Sequence, residues 1–151
     1  MNENILLPVL ALQKENAIKV IRQCNDFTSQ FGLSLATKDV NDLVECQHET
    51  LKYMGRIEFG NSIIPKLVFE FCDSQYISQD NYVEVLEDLQ EMFFYFKNES
   101  LDKISDDELI HGMKKYFDGE CQGSLEKLRS TYLEKMCKNS RYSLDLYRDI
   151  E

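Results

Sequence analysis

The chain contains two histidines, and each follows a glutamate at the same offset, in Glu45-Cys-Gln-His48 and Glu108-Leu-Ile-His111. On a helix, residues three apart lie on neighbouring turns, so each pair offers a carboxylate and an imidazole to one ion. Helical proteins with two-metal carboxylate sites use two such pairs plus a Glu from each of two further helices. Glu45, His48, Glu108 and His111 are therefore the candidate metal ligands, and the corresponding chemistry is that of a di-metal enzyme.

Orientation argues against that chemistry. With a step of about 100° per residue, the helix carrying Glu108 centres its apolar face near Ile110, Met113 and Phe117, which leaves His111 about 160° and Glu108 about 140° away. His48 flanks the apolar face of its own helix, and Glu45 lies about 140° from that face. Glu84, Glu87 and Glu91 fall opposite the apolar stripe of the helix that would complete the set. No inward-facing fourfold constellation results, and neither a metal nor another cofactor is expected.

A second candidate is Cys121, set between two glycines in Asp118-Gly-Glu-Cys-Gln-Gly-Ser124 just before a helix start. A helix dipole lowers a thiol pKa, but Asp118 and Glu120 oppose the thiolate, and no histidine is near in sequence to act as base. Asp106, Asp107 and Glu108 have structural work at a helix start, and no Gly-x-Ser-x-Gly accompanies the histidines. An enzyme or small-ligand site assembled by the fold from Asp73, Tyr76, His111 and Cys121 stands as the alternative to a non-enzymatic protein.

The elements that must position these groups are helical. Only two Pro and six Gly interrupt 151 residues, which leaves few places to break long helices. From Pro8, the positions Ala17, Val20, Ile21, Cys24, Phe27 and Phe31 recur at helical spacing up to Gly32. A second helix is predicted from about Thr37 to Gly55, with Val40, Leu43, Val44, Leu51 and Met54 inward. Leu33–Leu35 and Ile57–Phe59 alternate in polarity and are predicted to pair as a very short two-stranded ribbon.

Ser62 caps a short helix whose Pro65 falls in the first turn, where its missing N–H is harmless. After the polar turn Asp73-Ser-Gln75, the longest helix opens at Ser78 or Asp80 and runs to about Lys97. Ser105 with Glu108 three residues on reads as a capping box for a helix ending at Gly119. Ser124 caps the last helix, and residues 139–151 form a weakly periodic tail. The expected architecture is mainly α, a single-domain bundle of about six helices over residues 1–138.

Met92-Phe-Phe-Tyr-Phe96 in the longest helix is aromatic nearly all round, because Phe94 and Tyr95 lie about 140° and 120° from the apolar stripe on either side. Such a segment must be covered, either by the other helices of the bundle or by a partner protein or second copy meeting Phe94 or Tyr95.

Charge narrows the partners. The formal net charge is −10; residues 76–120 hold twelve acids against four Lys and Arg, whereas residues 121–151 carry five acids against six. A chain of this sign repels phosphate backbones, so no nucleic-acid partner is expected. The apolar stretch near the N-terminus falls well short of the roughly 20 residues that span a bilayer, and it lacks the features of a secretory signal, so no membrane partner is expected. Five cysteines with no Cys-x-x-Cys pair fit reduced thiols in a cytoplasmic setting.

The runs "GRIEFG", "FCDSQY", "YFKNESLD", "SDDEL" and "FDGECQGSLE" give the chain a resemblance to a family of small, acidic bacterial proteins classed as a domain of unknown function, over about residues 8–137. The resemblance implies a bacterial cytosolic protein spanning one family domain. It implies no activity, ligand or catalytic residue. The expectation is a non-enzymatic interaction or regulatory protein whose partner is another protein or a second copy of itself.

Overall fold

The computed structural model describes residues 3–58 and 62–138, with side chains from Leu12 onward. Six helices make the architecture, and the described residues contain no strand. Helix α1 (Glu3–Gln23) is followed by one α-turn (Asn25–Thr28) and one 3-10 turn (Ser29–Phe31), which close on Gly32 in the left-handed region, φ +76°. Helix α2 (Thr37–Tyr53) begins with the Asp39 carboxylate accepting from the Ala36 N–H at 2.9 Å.

Helix α3 (Ile64–Phe71) starts where Ser62 Oγ accepts from the Ile64 N–H, with Pro65 in its first turn as the sequence predicts. Helix α4 (Tyr82–Glu99) and helix α5 (Asp106–Asp118) follow; at the latter, Ser105 Oγ accepts from the Glu108 N–H at 3.2 Å. Helix α6 begins at Leu125–Lys127 under the Ser124 cap, widens into a π-helix over Leu128–Leu133 and is α-helical again over 134–138. Residues 139–151 lie outside the described residues.

Helix α4 is the centre. It packs on α2, α3 and α5, while α3 also packs on α5, α1 on α2, and α5 on α6. Leu86, Leu89, Met92, Phe93, Phe94 and Phe96 of α4 are all buried, against Leu43 of α2, Leu67 and Phe71 of α3 and Met113 and Phe117 of α5 among the core residues. Burying side chains of this size contributes about 1.5–3 kcal/mol each before chain entropy is counted. Phe94 is 2% exposed, part of the core rather than a surface open to a partner. Tyr95, 48% exposed, does reach solvent.

The ribbon does not form among the described residues. Leu33–Leu35 has its backbone groups occupied by side chains instead: Asn25 Oδ1 accepts from the Leu35 N–H while its Nδ2 donates to Leu35 O, and Gln79 repeats this double bond on Ser34. Two amides thus stand where a neighbouring strand would. Ile57 is exposed, and Phe59 lies outside the described residues.

Phe27 and Phe31 also differ from the inward face expected of them. The helix breaks at Cys24, so the last two turns rotate, and both rings are more than two-fifths exposed. Phe69 of α3 joins them, with ring centroids 5.4 Å from Phe27.

Candidate functional site

An open groove of about 620 Å³ runs along the α2–α4 seam. Asp42, Glu45, Cys46, Glu49, Thr50, Tyr53 and Met54 line it from α2 and its end, and Glu87 and Glu91 from α4. The helices place these residues by simple periodicity. Asp42, Glu45/Cys46, Glu49 and Tyr53 recur every three or four residues, one face of α2 beside the stripe that buries Val40, Leu43 and Val44. Glu87 and Glu91 are likewise one turn apart on α4.

Five carboxylates therefore share one groove. Glu45 accepts from Lys14 Nζ of α1; Asp42, Glu49, Glu87 and Glu91 have no ion pair among the described residues. Electrostatics follow from that arrangement. Burial, and then Asp42, Asp88, Glu91 and Glu84, pushes the Glu87 carboxyl above its usual range. Cys46, at the middle of the groove, is pushed up to about 11 by burial and then by Glu87, Glu91 and Glu49, so it is a neutral thiol and a poor nucleophile. Lys14 holds Glu45 below the ordinary carboxylate value through its hydrogen bond and its charge.

Gln90 of α4 is fully buried against α2 and does not line the groove. Its Nε2 donates to Leu43 O at 3.3 Å, and its Oε1 has no donor among the described residues. Tyr53 stands 90% exposed at the end of the groove. What this arrangement can do is hold positive charge beside an apolar wall.

The two Glu-x-x-His pairs stay apart. Glu45, His48, Glu108 and His111 are all exposed; Glu45 holds Lys14, and His111 Nδ1 lies 3.5 Å from Glu70 Oε1 of α3. No three metal-ligating side chains converge among the described residues. The orientation read from helical periodicity agrees with the exposure of Glu45, Glu108 and His111, and His48, on the flank of its apolar face, is exposed as well.

Asp73, Tyr76 and Cys121 sit around the C-terminal half of α5. Lys114 Nζ lies 2.7 Å from Asp73 and 2.8 Å from Asp118, whose Oδ1 accepts from Ser74. Tyr76 packs edge-on to Phe117 and against Gly123, whose φ of +82° and missing Cβ admit the ring. Cys121 is 1% exposed, and burial followed by the charge of Glu120 raises its thiol pKa. His111 lies across the α3 seam, pointing to solvent. Tyr95 forms a shallow depression of about 50 Å³ with Phe96 and Glu99 and with Glu134, Cys137 and Lys138 of α6.

Asp42, Glu49 and Tyr53 are groove residues that the sequence does not single out, whereas Glu87 and Glu91 enter there only as carboxylates facing away from a metal site. The periodicity shows each carboxylate pointing away from its own core. It does not show that the two polar flanks meet.

A model of a family of unknown function (DUF6323) matches residues 20–146. No curated protein and no solved structure matches the chain.

Proposed function

We propose, for a chain that belongs to this family of unknown function (DUF6323), that it is a non-enzymatic interaction module which receives a basic segment of another protein on the α2–α4 groove. One observation carries the reading: four of the five groove carboxylates lack a cationic partner among the described residues, although the groove is large enough for several side chains. Carboxylates that share one groove repel one another, and an incoming cation relieves that repulsion. The chemistry present favours binding over turnover. Cys46 is held as a neutral thiol, and no imidazole lines the groove to act as acid or base.

The test is titration of a ten-lysine peptide into the purified protein at low and high salt. The triple variant Asp42→Asn/Glu49→Gln/Glu91→Gln is expected to lose at least tenfold in affinity. A control, Asp80→Asn/Glu120→Gln/Glu126→Gln, removes the same charge from exposed positions elsewhere. Equal loss in both would reduce the interaction to diffuse charge attraction and end the reading.

A further inference from the structure

We infer that the ring cluster Phe27–Phe31–Phe69 is a contact surface for a second copy of this chain, the two copies paired about a two-fold axis. The inference uses none of the groove carboxylates and stands apart from the reading above.

The three rings form one continuous surface. Phe27 lies 5.8 Å from Phe31 and 5.4 Å from Phe69 between ring centroids, so it joins the turn after α1 to α3. Each ring residue is between 42% and 49% exposed; at about 200 Å² for a whole phenylalanine, about 90 Å² of each stays in water. One copy thus presents about 270 Å² of contiguous aromatic surface, and a two-fold pair covers about 540 Å². A small specific interface buries about 1,200 Å² in all. The rings therefore supply close to half of such an interface as its apolar centre, and the polar flanks supply the rest as its rim. Aromatic side chains at the centre of a contact carry most of its affinity.

Charge favours a copy of the same chain at this face. The net charge of −10 opposes self-association wherever carboxylates stand unpaired. Beside Phe69 they are paired. Lys66 Nζ lies 2.8 Å from Asp107, His111 Nδ1 lies 3.5 Å from Glu70, and Lys114 Nζ lies 2.7 Å from Asp73, three rungs between α3 and α5 that accompany Phe69 along its helix. On the other flank, Arg22 is in the last turn of α1 and Asp26 stands one turn later; both are exposed and make no ion pair among the described residues. Opposite charges side by side next to a two-fold axis are self-complementary, so Arg22 of each copy meets Asp26 of the other.

Sedimentation equilibrium of the full chain across a wide range of concentration tests the pairing. The average mass is expected to rise reversibly from that of one chain toward that of two. The double variant Phe31→Gln/Phe69→Gln is expected to raise the dissociation constant at least about tenfold. The control Tyr53→Gln/Ile57→Gln removes two exposed apolar side chains elsewhere and leaves it unchanged. Two further variants read the same face without touching the rings. Arg22→Asp and Asp26→Arg are each expected to weaken the dimer about two- to fivefold, the second although it brings the net charge nearer to zero, and the combined exchange Arg22→Asp/Asp26→Arg restores it. Thermal melts establish that each variant is folded. A wild-type mass that stays at one chain throughout overturns the inference and leaves the rings to a different protein. So does a dimer that the phenylalanine replacements leave intact, or one that the control weakens as much. A dimer that Asp26→Arg does not weaken, or that the exchange fails to restore, overturns the two-fold arrangement.

Discussion

Lys97 Nζ lies 2.9 Å from Asp106 Oδ1, joining the last turn of α4 to the first turn of α5 through a lysine that is only 8% exposed. The same ammonium donates to Ile104 O at 2.8 Å, so it satisfies the linker carbonyl as well as the carboxylate. The linker needs such a clamp because Leu101 and Asp102 both have φ of +57°, a conformation that non-glycine residues adopt at a cost. Replacing Lys97 with Ala leaves a buried carbonyl and an acid without their partner. The expected loss is about 2–3 kcal/mol in urea unfolding. A loss under about 0.5 kcal/mol would show that the linker does not depend on the clamp.

Gly123 and Gly32 separate two costs of adding a methyl group. Both have positive φ, but a Cβ at Gly32 meets nothing within 4 Å, whereas one at Gly123 would lie 2.6 Å from Tyr76 Cγ. Gly32→Ala should cost about 1 kcal/mol from backbone strain alone. Gly123→Ala should cost at least about 1 kcal/mol more, since Tyr76 must leave its place against Phe117. Similar melting temperatures for the two variants would mean that Tyr76 yields without loss.

The Tyr82 hydroxyl is buried beside Thr28, whose own proton goes to Leu33 O, and it makes no hydrogen bond of good geometry among the described residues. Removing an orphaned buried hydroxyl while keeping the ring costs little. Tyr82→Phe is expected to leave thermal stability unchanged or raise it by up to about 1 kcal/mol. A drop in the melting temperature would reveal a hydrogen bond made in solution.

Glu87 fixes the sign of one pH effect. Its carboxyl titrates above the ordinary 4.5 in the folded chain because burial and then Asp42, Asp88, Glu91 and Glu84 disfavour its charge. The folded state thus holds the proton more tightly than the unfolded state, and stability falls as pH rises from about 4.5 through the raised folded value. Glu87→Gln removes that penalty. Its melting temperature should exceed the wild type at pH 7, and the gain should vanish near pH 4. A gain that persists at pH 4 would assign the effect to packing rather than charge.

Asp102 acts in the opposite direction. The Arg56 hydrogen bond and charge hold its carboxyl below the usual 3.8, so its contribution is present above about pH 3.8 and is lost as pH falls through the lower folded value. Asp102→Asn should flatten the acid limb of the stability curve below pH 4, measured by thermal melts. An unchanged acid limb would mean that the exposed half of this pair is screened out.

The sequence by itself determined the helices and the faces they bury. The start signals Ser62, Ser105 and Ser124, the stop at Gly32 and the apolar stripes of α2, α4 and α5 act within a few residues of one another. Local hydrogen bonds and a 3.6-residue period are therefore enough to read them. The same period placed Glu45, Glu108 and His111 on the surface, where they are found, and His48 at the flank of the apolar face, where it too is exposed.

Only the tertiary structure decided which flanks became neighbours. Phe94 was covered, Phe27 and Phe31 were left exposed, and the Leu33–Leu35 segment was satisfied by Asn25 and Gln79 rather than by a second strand. The groove belongs to this second kind of information. Asp42, Glu45 and Glu49 are solvent-facing acids on one helix, and Glu87 and Glu91 are solvent-facing acids on another; their shared field exists because α2 packs along α4. The distance between two helices is set by the side chains buried between them, and helical periodicity along either one carries no record of it.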